Sequence, residues 1–173
     1  MTFEDSETGI VIDSDFPCSS AGPVRKLDGG VYEVDYQREE LPQWFQDVLD
    51  ELFDGAGAPK EYMAHVRVQN AGGETRRITL RFLTSKKGAN YMYPPWWVRR
   101  DEGWSWIPPE DTLHDHDNLY IDTTIEITPG ESVRIASAPY EEPDAVCEKA
   151  RRLAQRSPLW TYREIGPTAQ GRP

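Results

Sequence analysis

The chain reads as mainly β: an antiparallel β-sandwich of jelly-roll type, with an amphipathic helix near residues 41–54 and a C-terminal helix–strand segment. Three observations predict this. Apolar residues recur at every second position in two stretches, 62–82 and 119–138. Gly, Pro, Asn and Asp punctuate the chain between apolar runs. Helical period appears only twice. Polar residues at the alternate positions leave one strand face wet, which suits an antiparallel sandwich better than a parallel sheet buried on both faces. About seven to nine strands are expected from the start of the chain to about residue 139.

The first 40 residues read as short extended pieces with turns. Ile10-Val11-Ile12 is a short apolar run, Asp28-Gly29-Gly30 a turn, and Val31 to Tyr36 a mixed strand. Leu41, Trp44, Phe45, Val48, Leu49, Leu52 and Phe53 then recur at helical spacing, opposite Gln43, Gln46, Asp47, Asp50 and Glu51. Pro42 is tolerated in the first turn and Gly55 ends the pattern. Such a stripe is expected to face the sandwich.

Tyr62, Ala64, Val66 and Val68 alternate with polar residues, and Ile78, Leu80 and Phe82 do so after Asn70-Ala71-Gly72-Gly73-Glu74. This predicts a hairpin. A second hairpin is predicted from Leu119, Ile121, Thr123, Ile125 and Ile127, a type II turn at Thr128-Pro129-Gly130-Glu131, and Val133, Ile135 and Ala138. Between the two, residues 83–118 are irregular and aromatic, and Trp104-Ser105-Trp106 fits a short strand with both indoles on one face. Pro143 to Arg156 is a helix with Pro at its start and Arg151, Arg152 and Arg156 towards its end. Trp160 to Ile165 is a predicted strand. Domain organisation follows: a sandwich over 1–139, and a helix and strand over 140–173.

The chain has 173 residues and a formal net charge of −11. Residues 1–58 carry 14 acidic and 3 basic side chains, whereas 59–173 carry 16 of each. The acidic first third disfavours nucleic acid and anionic lipid as partners, and no basic stripe is visible along the rest. No run approaches ~18 apolar residues, so no membrane span is expected. MTFEDSETGI lacks the basic-then-apolar pattern of a secretory signal. Cys18 and Cys147 are far apart and form no CxxC pair. A reducing, cytoplasmic location is expected.

His114-Asp115-His116-Asp117 is the one metal-like constellation. On a strand, positions i and i+2 would bring both imidazoles to one face. The stretch lies just before a strand and lacks a third ligand, so a solvated loop is the simpler reading. Asp13, Asp15 and Asp28 do not have the spacing of an EF-hand loop. HExxH, HxxE, GxSxG, a Walker loop and GxGxxG are all absent. No catalytic residue is assigned. Tyr91, Tyr93, Trp96, Trp97, Trp104 and Trp106 form the best candidate for a binding or domain-contact surface. Tryptophans on a sandwich can stack on sugar rings, so a free-standing carbohydrate-binding module is the alternative function.

Three stretches, in order, resemble one family. Glu61 to Ala71 resembles the aromatic strand of the N-terminal domain of cytosolic-type zinc carboxypeptidases. Asp101-Glu102-Gly103-Trp104-Ser105-Trp106-Ile107 is similar to that domain's Asp-Gly and Trp strand. Val133 to Tyr140, a helix, and Arg163 to Pro173 resemble the passage from β-domain to catalytic domain. The resemblance covers residues 60–173; the helix at 41–54 and Pro167-Thr168 depart from the family's pattern. It implies that this chain is a non-catalytic accessory domain whose partner is its own catalytic domain. Peptide substrate, zinc, its HxxE and His ligands, the general base and the substrate-gripping Arg would all belong to that domain. None maps onto a residue here, so no cofactor is expected in this chain.

Overall fold

Alternating apolar and polar residues build eleven strands among the residues that the computed structural model describes: 1–16, 19–35, 43–52, 64–83 and 96–163. In chain order they are β1 (Thr2–Asp5), β2 (Ile10–Asp13), β3 (Val24–Lys26), β4 (Val31–Val34), β5 (His65–Asn70), β6 (Arg76–Leu83), β7 (Trp97–Arg100), β8 (Gly103–Trp106), β9 (Thr112–Asp115), β10 (Tyr120–Ile127) and β11 (Ser132–Ala136). They form two sheets. Sheet A runs β1-β2-β5-β11-β7-β8, and sheet B runs β3-β4-β6-β10-β9.

Period two sends every second side chain inward. Ile10, Ile12, Val66, Val68, Val133 and Ile135 of sheet A are buried in one core with Tyr32, Val34, Leu80, Phe82, Ile121 and Ile127 of sheet B. Each of these contributes about 1.5–3 kcal/mol of burial. The fold class is thus mainly β, as the alternation predicts, with one pair that is not antiparallel. β4 and β6 run parallel, because the chain between them passes through β5 in the other sheet before returning.

The two predicted hairpins are corrected by the pairing. β5 pairs with β2 and β11, while β6 pairs with β4 and β10. β10 lies in sheet B and β11 in sheet A. Both turns therefore step from one sheet to the other. Alternation shows which face is apolar, and both arrangements satisfy it. Asn70 ties the two crossings together. Its fully buried amide donates to the carbonyls of Glu74 and Ile127 at 2.9 and 3.0 Å. Gly130 N–H donates to Asn70 O at 2.8 Å. The type II turn stands: Gly130 has φ +78° and Glu131 N–H donates to Thr128 O. At Gly72 a Cβ would lie 2.5 Å from Thr8 O, so the neighbouring turn demands glycine there.

One polar cluster links the sheets. The Asp5 carboxylate accepts from Thr8 Oγ1 at 2.6 Å, Tyr32 Oη at 2.7 Å and Glu7 N–H at 3.1 Å, and pairs with Lys26 at 3.0 Å. Burial pushes the Asp5 pKa up, but these bonds outweigh it and hold the carboxyl well below its usual range.

Helix α1 spans Gln43–Leu52, within the predicted bounds. Of its apolar stripe, Trp44 and Val48 are exposed, so this edge of the stripe is not core as expected. The chain divides into two compact units, Met1–Pro139 and Tyr140–Pro173. In the second unit, α2 (Pro143–Arg156) coincides with the predicted helix, carries Pro in its first turn and buries none of its residues. Trp160–Arg163 are not a strand, contrary to expectation; a strand needs a neighbour to complete its ladder. Glu164 to Pro173, Leu41, Pro42, Phe53, Tyr62 and Cys18 lie outside the described residues. Cys147 is a free thiol.

Candidate functional site

The aromatic segment divides by strand parity. Trp96 is fully buried and stacks on Phe82, centroids 4.4 Å apart, so it is part of the core and not of a contact surface. Val98 also points inward, which leaves Trp97 and Arg99 on the outer face of sheet A. β8 pairs with β7 so that Trp104 lies opposite Arg99 and Trp106 opposite Trp97. Both β8 indoles share that outer face, as their spacing predicts. Trp106 is 56% exposed, while Trp97 and Trp104 are half-buried. Tyr91 and Tyr93 lie outside the described residues.

The register brings three arginines into this surface. Arg67 on β5 faces Arg134 on β11, and Arg134 faces Arg99 on β7. Asp13 on β2 stands at the other end of the row and holds Arg67 with two bonds of 2.7 and 3.0 Å. Phe16 supports the row: the Arg134 and Arg67 guanidiniums lie 4.8 and 5.6 Å from its ring centre. His65 meets the Phe16 ring edge-on at 4.8 Å and the Trp104 ring at 5.7 Å. The outer face of sheet A therefore reads, strand by strand, Asp13, Arg67, Arg134, Arg99, Trp104. Along the sequence these arginines are more than thirty residues apart, which is why no basic stripe is visible there.

The histidine constellation sits elsewhere. His114 lies in β9 next to its last residue, Asp115, and His116 lies in the turn to β10. Their rings are 6.2 Å apart, centre to centre. Burial, with His116 nearby, lowers the His114 pKa. Asp115 is engaged in closing the turn: it accepts from the Asn118 side chain at 2.9 Å and from the N–H groups of Asn118 and Asp117. Those bonds, the Asn118 side chain first, bring its pKa down to about 2. Among the described residues no three His, Cys, Asp or Glu side chains come together as a metal site. No described helix is long and apolar enough to cross a membrane.

Searches with protein-family profiles and against curated protein sequences returned no match. Comparison with solved structures did. The fold is similar to part of a metallo-carboxypeptidase from Burkholderia cenocepacia, at 18% identity and a TM-score of 0.59, over 95% of this chain and 38% of that one. It is similar also to a metallo-carboxypeptidase from Pseudomonas aeruginosa, at 14% identity and TM-score 0.59, over 93% of this chain and 38% of that one. This chain thus spans about two-fifths of the length of the structures it resembles, and what it shares with them is a carboxypeptidase-like fold.

Proposed function

We propose that the chain is the non-catalytic N-terminal accessory domain of a zinc-carboxypeptidase-like protein. One observation carries the reading: nearly all of this chain, but under half of the metallo-carboxypeptidase chains, is covered by the structural likeness. On this reading the sandwich docks on a catalytic domain and shapes peptide access to it, and residues 140–173 lead into that domain. The apolar surface of the second unit supports this: Val146, Leu153, Leu159 and Trp160 are each at least half exposed. Zinc would be held by the catalytic domain, a reading supported by the metallo-carboxypeptidase neighbours. In the cytoplasm, the acidic first third would serve to keep the domain dispersed.

The carbohydrate-binding alternative loses its platform. Sugar stacking needs several exposed rings, and of Trp96, Trp97, Trp104 and Trp106 only Trp106 is more than half exposed.

The test compares the 173-residue chain with the polypeptide encoded when the reading frame is followed past Pro173. The longer product is expected to contain an HxxE pair, bind zinc stoichiometrically and release C-terminal amino acids from peptides in a chelator-sensitive way. The short chain is expected to do none of this. Zinc-dependent release by the short chain overturns the proposal, and so does a downstream frame without a peptidase domain.

A further inference from the structure

We propose that α1 is a docking helix, and that its exposed face of Trp44, Val48, Asp47 and Glu51 pairs with a basic amphipathic helix of a partner protein. The helix departs from the pattern of the family that the chain resembles, so the inference stands apart from the accessory-domain reading. Helical spacing assembles the face. Trp44, Val48 and Glu51 stand at i, i+4 and i+7, and Asp47 lies beside them. All four are exposed, Trp44 at 67% and Val48 at 43%. An indole one helical turn from a second apolar side chain is a common anchor in helix-mediated recognition.

The charges select the partner. A helix dipole favours acids at the N-terminus and cations at the C-terminus. Helix α2 follows that rule, with Asp144 in its first turn and Arg156 in its last. Helix α1 reverses it: its first turn holds no acid, and its last turn holds Asp50 and Glu51 and no cation. The stability of the helix itself does not account for that order. A lysine or arginine brought to this end by a partner would meet the dipole and the carboxylates together. Gln43 donates to Asp47 at 2.8 Å, which uses one of about four acceptor positions on that carboxylate. The surroundings have the same sign, since residues 1–58 carry 14 acidic and 3 basic side chains. Such a field attracts cations and rejects nucleic acid and anionic lipid. A second copy of α1 fits less well, because its acids would meet acids. A basic amphipathic helix supplies both parts, an apolar stripe for Trp44 and Val48 and flanking cations for Asp47 and Glu51.

The probe is a blocked, amphipathic Leu/Lys peptide of about 15 residues, titrated by calorimetry into the 173-residue chain at about 0.1 M salt. Two control peptides accompany it. One has the same composition with the amphipathic pattern scrambled, and the other keeps the pattern with Glu in place of Lys. The patterned Leu/Lys peptide is expected to bind at least tenfold more tightly than either control. Trp44→Ala should weaken it at least tenfold, and so should Asp47→Lys combined with Glu51→Lys. All three positions are exposed, so both variants should keep the thermal unfolding curve of the parent. Glu110→Lys, at an exposed acid outside α1, should leave the affinity within about twofold. The proposal is overturned if the patterned peptide fails to bind at millimolar concentration, if either control binds as tightly, or if Trp44→Ala binds as well as the parent. It is overturned also if the parent chain self-associates and Trp44→Ala abolishes this, since the occupant would then be a second copy.

Discussion

The outer faces of the two sheets handle charge in opposite ways. On sheet B, Arg25 bonds Glu33 at 2.5 Å, Arg81 holds Asp122 with two bonds of 2.8 Å, and Thr79 and Thr124 share a bond of 3.0 Å one row over. The Arg81 guanidinium also lies 3.8 Å from the centre of the Tyr120 ring. Each charge has an opposite neighbour. On sheet A, after the Asp13–Arg67 pair, the next two positions are again arginine. Both faces belong to the same sandwich and are backed by the same core, so the fold does not require the difference. Sheet B spends its polar residues on its own stability. Sheet A sets like charges side by side and lays the Phe16 ring against the guanidiniums of Arg67 and Arg134.

The largest effect expected from breaking this contrast is on sheet B. Asp122→Ala removes the acceptor of a half-buried, two-bond pair and leaves Arg81 desolvated without its partner. A loss of about 2 kcal/mol is expected, measured as a lowered denaturant midpoint with unchanged slope. A loss below about 0.5 kcal/mol would mean that the ladder is ornamental and that the two faces do not differ in kind.

The next effect concerns the joint between the faces. The Asp5 carboxyl is depressed in the folded chain, so its contribution is complete above the unfolded carboxylate pKa of ~3.9 and is lost as pH falls through the lower folded value. Stability should therefore fall below about pH 4. Asp5→Asn should remove part of that acid dependence and cost about 1–2 kcal/mol at neutral pH, because the hydroxyls of Thr8 and Tyr32 and the Lys26 ammonium lose an ionised acceptor. Identical acid unfolding in parent and variant would exclude Asp5 as a source of the pH response.

What could be read from the sequence follows from how local each signal is. Period two over 64–82 and 119–138 is local, and it places the apolar faces of β5, β6, β10 and β11 correctly. Pairing is not local. Whether β5 folds back on β6 or crosses to the other sheet depends on Asn70 reaching Ile127 O, 57 residues away, and on the close approach of Gly72 to Thr8. The tryptophan cluster was visible as composition, yet one peptide step separates the buried Trp96 from the outward Trp97. The arginine row had no sequence signature. Arg67, Arg99 and Arg134 stand in three different strands, and only the register of β5, β11 and β7 makes them neighbours. An apolar alternation with Arg at the outward positions of several strands is the one hint available, and it cannot say which strands are adjacent.

The smallest effect is also the most discriminating, because its sign matters more than its size. Arg25 is a surface residue, 70% exposed, paired to Glu33. Arg25→Gln should lower stability by no more than ~0.5 kcal/mol, since exposed ion pairs contribute little. Arg99→Gln should change it by no more than that, but upwards, because it removes a positive charge beside Arg134. Both effects should shrink as salt is raised from 0.05 to 0.5 M, where screening shortens the reach of charges to a few ångströms. Paired thermal melts at the two salt concentrations decide the matter. Opposite signs that converge with salt mean that sheet B is arranged for its own stability and sheet A against it. If Arg99→Gln is destabilising at low salt, Arg99 has a stabilising role within the fold and the contrast between the two faces fails.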